Sequence, residues 1–160
     1  MRSLSAVLAG ALLMVGIAGC SEATTKPQPE SIETASFAAS LGVDLAASTK
    51  TAEGAYFRDI TVGTGAVLAQ GDTATVSYKG FFRTGEVFDP GSTPLVFEYP
   101  PSSYIRGFTA GLQGLRVGGR RQIIVPPSLG YTQSGHPLNG KILVFDVTLV
   151  SKKSRAGQAS

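Results

Sequence analysis

The chain has 160 residues, with 14 Lys and Arg against 11 Asp and Glu, a length that supports one folded domain with appendages. Its single cysteine excludes an internal disulfide framework, its single histidine argues against most metal sites, and its basic residues form no stripe interleaved with aromatic side chains that would indicate nucleic-acid binding. Twenty glycines and nine prolines indicate many turns, and hence a β-rich fold.

The first twenty residues have the pattern of an export signal. Arg2 precedes an almost unbroken run of small apolar residues, which at about 13 residues is too short to span a bilayer and fits the apolar core of a secretory signal. The run ends in Ile17-Ala18-Gly19-Cys20, which resembles the bacterial lipobox. We therefore predict a lipoprotein-type signal peptide at 1–19, removed in the mature protein, and a lipidated Cys20. The alternative is an ordinary signal whose cleavage site lies near a cysteine.

An acylated Cys20 would anchor the protein to a membrane of the bacterial cell envelope without spanning it. Because Ser21 rather than Asp follows the cysteine, the same resemblance implies the outer membrane, facing the periplasm or the surface.

Residues 20–50 are predicted to be this lipidated cysteine followed by a flexible tether. Ser, Thr and Ala dominate the stretch, and its few large apolar residues cannot offset the entropy lost on ordering. Phe37, Leu41 and Leu45 recur at helical spacing, so a short amphipathic helix that docks on the domain is the alternative to a spacer.

The globular part is assigned to 51–151, followed by a disordered basic tail at 152–160. At 73–79 apolar and polar residues alternate, which is the period of a half-buried strand. Strands are predicted at 56–61, 73–79, 86–89, 95–99, 120–125 and 142–150.

One helix is predicted before the strand at 120–125. Ile105, Phe108, Leu112 and Leu115 form one helical stripe, and Ser102 or Ser103 is placed to cap it. These elements predict an α+β fold, in which a curled antiparallel sheet of five to six strands packs around one short helix.

The hairpin around Thr84-Gly85 brings together Tyr78, Phe88 and Asp89. Several aromatic residues and one acid on a hairpin exceed what core packing requires, so we predict that these residues form one wall of an apolar pocket. Taken singly, each phenylalanine also suits a core position and Asp89 suits a turn. Asp146, in the last strand, is expected to be a structural partner, with Arg106 as a candidate.

Eight short motifs occur in order between residues 54 and 151 and together resemble the FKBP-type peptidyl-prolyl cis-trans isomerase domain. They are Val76-Ser77-Tyr78-Lys79-Gly80, Gly85-Glu86-Val87-Phe88-Asp89, Tyr104-Ile105-Arg106-Gly107-Phe108, Val117-Gly118-Gly119, Val125-Pro126-Pro127, Leu129-Gly130-Tyr131, Gly135-His136-Pro137 and Leu143-Val144-Phe145-Asp146-Val147. The specificity lies in the ordered set and not in any one motif.

The resemblance implies a proline-binding pocket. Its catalytic residues would be Tyr78, Phe88, Asp89, Ile105, Phe108, Tyr131 and Phe145, and its substrate-binding residues Leu95, Tyr104 and His136. The chain departs from the family pattern where Phe108 replaces a frequent Trp, where Leu95 replaces an aromatic residue, and where the loops at 90–93 and 137–141 are shorter. His136 before Pro137 is equally suited to being a plain loop residue.

The implied activity is rotation of X-Pro bonds in exported proteins, which needs neither cofactor nor metal because no bond is made or broken. The expected partners are proline-containing polypeptides of the cell envelope and the macrolides that inhibit this family. The alternatives are a proline-peptide binding module or chaperone of low activity tethered in the envelope, and a surface adhesion factor.

Overall fold

The sheet is built around a long strand whose small apolar residues alternate with polar ones. This computed structural model describes residues 30–155. Its strands are β1 (Thr49–Lys50), β2 (Tyr56–Thr61), β3 (Thr73–Phe82), β4 (Val87–Asp89), β5 (Leu95–Glu98), β6 (Arg120–Val125) and β7 (Leu143–Lys153), and its helix is α1 (Arg106–Gly111). Short 3-10 turns occupy Ala39–Leu41 and Pro127–Leu129. Among residues 30–155, no helix has the length and apolar character needed to cross a membrane.

The strands form one antiparallel sheet in the order β1-β2-β6-β7-β3-β4, and β5 also pairs with β3. The α+β fold predicted from the sequence is confirmed, with seven strands because the two-residue β1 is added. In β3, Ala74 and Val76 are fully buried whereas Thr73 is exposed, as the alternation predicted. The last strand extends to Lys153, three residues further than predicted.

Helix α1 lies on the concave face of the sheet, where the main core forms. Phe108, Leu112 and Leu115 are buried there against Ile123 of β6 and Phe145 of β7. A Cβ atom on Gly111 would stand 2.4 Å from Ile123 Cγ2, and one on Gly107 would stand 2.4 Å from Val125 Cγ1. The glycines that weaken this helix therefore allow it to approach the sheet closely.

Helix α1 begins without the predicted serine cap. Its N-cap is Ile105, which makes no side-chain capping hydrogen bond. Past its other end, the Arg121 guanidinium donates to the carbonyl oxygens of Gly111 at 2.9 Å and Gln113 at 2.7 Å. The same guanidinium donates to both carboxylate oxygens of Asp59, so one buried side chain joins β2, β6 and the end of α1.

The convex face of the sheet is covered by residues 30–50, which we call the N-terminal strap. Cross-strand pairing places Tyr56, Ile124, Val144 and Phe81 in one apolar row over β2, β6, β7 and β3. Ile32 of the strap is 2% exposed and packs on this row, together with partly buried strap residues: Ala35, Phe37, Leu41, Val43 and Leu45.

This packing corrects the prediction of a flexible tether for residues 30–50. Residues 30–50 contain few large apolar side chains, but these pack on the apolar row of the sheet, and their burial offsets the entropy lost on ordering. The alternative of a segment that docks on the domain is correct for Phe37, Leu41 and Leu45, but the strap adopts a 3-10 turn at Ala39–Leu41 and not an amphipathic helix. The predicted signal peptide at 1–19, Cys20 and the first part of the tether lie outside the described residues.

Two predictions at the C-terminal end also need correction. Asp146 pairs with Arg120 on the neighbouring strand β6 and not with Arg106. Lys152 and Lys153 belong to β7 and not to a disordered tail, and Lys152 Nζ donates to Asp72 Oδ2 at 2.7 Å. The rest of the predicted tail, from residue 156, lies outside the described residues.

Candidate functional site

A cavity of about 320 Å³ opens on the concave side of the sheet, beside the start of α1. Strands β3, β4, β5 and β7 supply four of its lining residues, and the segment entering α1, the helix itself and the loop after β6 supply the others. The lining residues are Tyr78, Asp89, Leu95, Ser103, Tyr104, Ile105, Phe108, Tyr131 and Phe145. Eight of these nine are among the site residues predicted from the sequence, and the ninth, Ser103, is predicted there only as a helix cap.

The floor of the cavity is a cluster of aromatic rings centred on Phe108, which is 3% exposed. Its ring centroid lies 5.3 Å from that of Phe145, 5.9 Å from that of Tyr104 and 6.3 Å from that of Tyr78. These separations and the tilted or edge-to-face orientations are the ones that aromatic pairs favour. The cluster holds the apolar walls in fixed positions and leaves an opening that suits a small apolar ring.

Asp89 stands at the rim with both carboxylate oxygens engaged. The Tyr78 hydroxyl donates to Oδ2 at 2.5 Å, and the Gly91 N–H donates to Oδ1 at 3.0 Å. Burial raises the pKa of Tyr78 well above its usual range, and the hydrogen bond to Asp89 raises it further, so the phenol remains a donor at neutral pH. In this arrangement Asp89 orients the wall and is not arranged as a general base.

Gly91 is needed for this geometry because the backbone passes very close to β3. A Cβ atom at this position would stand 1.7 Å from the Tyr78 carbonyl oxygen, and φ is +62°. A side chain would therefore collide with β3 and would also be strained in the left-handed region. Only glycine at position 91 therefore allows the loop after Asp89 to lie this close to the backbone of Tyr78.

Tyr131, in the loop after β6, also lines the cavity. Burial raises the pKa of Tyr131 first, and the charge of Asp89 raises it further, which keeps the hydroxyl protonated at neutral pH. Within residues 30–155 neither this hydroxyl nor the Ile105 backbone N–H makes a hydrogen bond to the chain. Two donors are therefore free at the rim of an apolar cavity.

Two predicted site residues do not line the cavity. Phe88 lies behind it, with its ring 5.6 Å from that of Phe145 and 5.3 Å from that of Phe82, so it supports the wall from the far side. His136 stacks on Tyr131 at 4.3 Å with an interplanar angle of 4°, and its Nδ1 accepts from the Leu138 N–H. Both residues act on the cavity through a neighbour that lines it.

Ser103 is the lining residue whose role the sequence did not indicate. It follows Pro100-Pro101, and the sequence there favours a helix cap, because serine before an apolar stripe is a frequent capping signal. No signal in the sequence distinguishes a serine that caps a helix from one that borders a cavity. Among residues 30–155, no group of three or more His, Cys, Asp or Glu side chains is placed to bind a metal ion.

Comparisons with known proteins agree with this geometry. A sequence model of the FKBP-type peptidyl-prolyl cis-trans isomerase family matches residues 65–150. A probable FK506-binding protein of Corynebacterium glutamicum is 43% identical over 100 residues, covering 58% of this chain and 82% of that protein. An FK506-binding protein of Streptomyces anulatus is 39% identical over 102 residues, covering 59% and 82%.

Among solved structures, FkpA from Escherichia coli superposes with a TM-score of 0.60 and 31% identity, covering 68% of this chain and 52% of FkpA. The residues that the family model matches, 65–150, contain β3 to β6, α1 and most of β7, and with them every residue that lines the cavity.

Proposed function

This chain belongs to the FKBP-type peptidyl-prolyl cis-trans isomerase family, and from that membership we propose that it accelerates X-Pro rotation in exported proteins by binding the prolyl segment in the cavity floored by Phe108. The observation that carries the proposal is the combination of an apolar cavity of about 320 Å³ with two rim donors left free by the chain.

The chemistry of the reaction explains why such a cavity suffices. Rotation about an X-Pro bond breaks amide conjugation, with a barrier of about 18–20 kcal/mol, and uncatalysed exchange takes tens to hundreds of seconds. In the twisted amide the carbonyl oxygen carries less negative charge than in the planar amide. A water-poor site therefore disfavours the planar ground state relative to the transition state, which is the differential binding that catalysis requires.

The aromatic cluster supplies the water-poor surroundings of the prolyl ring. Phe108 is surrounded by the rings of Phe145, Tyr104 and Tyr78, and Ile105 and Leu95 complete the apolar lining. The Tyr131 hydroxyl is assigned as a donor to a carbonyl oxygen of the substrate, and the Ile105 N–H as a second donor. Asp89 fixes the Tyr78 ring through its hydroxyl, and no proton is transferred in the reaction.

The setting proposed for this activity is the bacterial cell envelope. It is supported by Arg2, the apolar run that follows it and the lipobox-like residues before Cys20, which would give a lipid-anchored protein. Proline-containing exported polypeptides would then be the substrates. Because two relatives carry FK506-binding in their names, macrolides of that class are proposed to occupy the same cavity.

A proline-peptide binding module or chaperone with little turnover is the second candidate. It is favoured by Leu95, which stands at a wall position where the family often has an aromatic ring, and by Asp89, which has no ion-pair partner within residues 30–155. Both features loosen the constraints on a bound peptide without removing the cavity.

Refolding of an unfolded client whose slow phase is limited by proline isomerisation separates the two candidates. The isomerase proposal predicts that the slow phase accelerates in proportion to added protein, and that Tyr131→Phe loses most of this acceleration. If the slow phase keeps its rate while aggregation of the client is still suppressed, the binding module is the better account.

A further inference from the structure

A second, larger cavity of about 800 Å³ opens beside the candidate pocket and shares two lining residues with it, Ser103 and Tyr104. The Tyr104 ring lies 5.9 Å from Phe108 in the pocket and 5.3 Å from Phe97 in the second cavity. One aromatic side chain thus forms a wall of both spaces. We call the second cavity the β5 groove; residues 96–104 line it, with Gln70, Gly71 and Arg155 at one end.

Strand β5 runs from the pocket into this groove. Its first residue, Leu95, lines the pocket, and its remaining residues, Val96, Phe97 and Glu98, line the groove. At about 3.3 Å per residue, the strand extends roughly 10 Å away from the pocket. An extended polypeptide has about the same rise per residue as β5, so one that leaves the pocket in this direction can lie alongside the strand for three to four residues.

In the described part of the chain one edge of β5 is free, and the groove borders every residue of the strand after Leu95. The strand pairs with β3 alone, and no other segment among residues 30–155 pairs with its second edge. Exposed Val96 and half-buried Phe97 point to opposite faces of the sheet, yet both line the groove, so the groove reaches the edge of β5 as well as one face. At its far end Gly71, which donates to the Tyr99 carbonyl, borders the groove from the paired side. In an antiparallel pair alternate residues direct their N–H and C=O groups away from the partner strand, and such an edge is a template for pairing with another chain.

We propose that the polypeptide flanking the substrate proline on one side binds along β5 as an added strand. The inference rests on the proposed function, because the pocket must hold the proline for its flank to reach the edge. The occupant is the substrate backbone: main-chain hydrogen bonds provide affinity that depends little on sequence, as in other cases of strand addition. The side chains of Glu98 and Arg155 at the far end are 68% and 74% exposed and 4.0 Å apart, so this end of the groove carries one charge of each sign.

A matched set of peptides tests this inference. The shortest is a four-residue X-Pro peptide. Two further peptides extend it by four residues, one at the N-terminal end and one at the C-terminal end. Two more repeat these extended peptides with N-methylated amides in the extension. We expect extension on one side to raise kcat/KM on the order of tenfold, as two or three added hydrogen bonds would, and N-methylation to remove that gain. Extension on the other side should change it little.

A variant pair locates the effect on β5. Val96 is 63% exposed in the groove and Val62 is 70% exposed away from it, so Val96→Glu and Val62→Glu place the same charge at two exposed valines. The ratio of kcat/KM for the extended and short peptides should fall in Val96→Glu and stay unchanged in Val62→Glu. Equal rates for short and extended peptides, or a gain that survives N-methylation, would overturn the proposal.

Binding of the same peptides separates failure of this inference from failure of the proposed function. If no peptide is isomerised, the proposed function is wrong, and the fluorescence anisotropy of labelled peptides still measures the groove. A Kd lowered by the one-sided extension and restored by N-methylation supports strand addition, whereas equal Kd values for all peptides contradict it.

Discussion

At the scale of single residues, the pocket combines an apolar floor with a few polar groups whose partners are defined. The Tyr78 hydroxyl and the Gly91 N–H use both oxygens of Asp89, whereas the Tyr131 hydroxyl is left free by the chain. The carboxylate therefore holds the Tyr78 hydroxyl and the loop at Gly91 in place, and the free phenol is the group proposed to meet a substrate. Desolvation by the aromatic floor is the main proposed source of rate acceleration.

Tyr131→Phe tests the free phenol. The hydroxyl has no partner within residues 30–155, so its removal should leave the free energy of unfolding within about 0.5 kcal/mol of the wild type. Loss of one charge-neutral hydrogen bond in the transition state should lower kcat/KM roughly tenfold. Tyr56→Phe is the matched control, because that hydroxyl bonds Glu33 on the convex face. Equal kcat/KM values in Tyr131→Phe and the wild type would remove Tyr131 from the mechanism.

Gly91→Ala tests the close approach that holds Asp89. Both Gly91 and Gly114 have positive φ, +62° and +73°, but only the Cβ at position 91 meets another atom. Gly114→Ala should therefore cost only the left-handed strain of about 1–2 kcal/mol. Gly91→Ala should cost more and should also lower kcat/KM, since the loop must move away from Tyr78. Equal effects on urea unfolding and on rate in the two variants would contradict this reading of the loop.

At the scale of elements, the N-terminal strap is part of the folded domain. It buries Ile32 on the convex row, and the Ala38 N–H donates to the Arg83 carbonyl in the β3–β4 turn at 2.8 Å. The Arg83 guanidinium also pairs with Glu30 of the strap at 3.0 Å. The strap therefore holds the same hairpin that ends in Asp89 at the pocket, on the other side of the sheet.

Ile32→Ala tests this packing. Removing a buried isoleucine side chain should lower the free energy of unfolding by about 2–5 kcal/mol, because a cavity remains between strap and sheet. Val62→Ala, at a valine 70% exposed, should change it by less than about 0.5 kcal/mol. Chemical denaturation followed by circular dichroism measures both. A cost for Ile32→Ala no larger than that for Val62→Ala would show that the strap does not contribute to the fold.

Arg121→Lys tests the anchor of α1. Arg121 is 3% exposed and bonds Asp59 and two carbonyl oxygens at the end of the helix, and its guanidinium stacks over Phe57 at 4.2 Å. Lysine cannot reproduce these bonds, so we expect a loss of about 2–4 kcal/mol in unfolding free energy. Arg120→Lys changes a pair whose arginine side chain is 51% exposed and should cost less than about 1 kcal/mol. A smaller loss in Arg121→Lys than in Arg120→Lys would be inconsistent with this role.

At the scale of the whole molecule, the concave half could be predicted from the sequence and the convex half could not. Alternation in β3 and the stripe of Ile105, Phe108 and Leu112 are local signals, and the ordered motifs added the pocket residues. The docking of Ile32 depends on Ile124 and Val144, which are distant in sequence, so no local period in the strap reveals it. Phe88 and His136 belong to motifs that predict the site, but neither side chain lines the cavity. A motif gives the position of a residue in the chain and not the direction of its side chain.

The same difference explains the partner of Asp146. The register between β6 and β7 sets Gln122 opposite Asp146 and brings Arg120 within reach, whereas sequence alone offers several arginines. Each of these outcomes depends on pairing between segments that are far apart in the chain. Composition and short-range spacing therefore predict the helix and the strands. They do not predict which faces of these elements pack against one another.

The central claim is that this cavity turns over X-Pro bonds, and its most direct test is the exchange rate of a short X-Pro peptide measured by NMR with residues 21–160 added. We expect cis-trans exchange to accelerate in proportion to protein concentration, and FK506 to abolish the acceleration by occupying the floor at Phe108. A chain that is folded by circular dichroism and leaves the exchange rate at its uncatalysed value would contradict it.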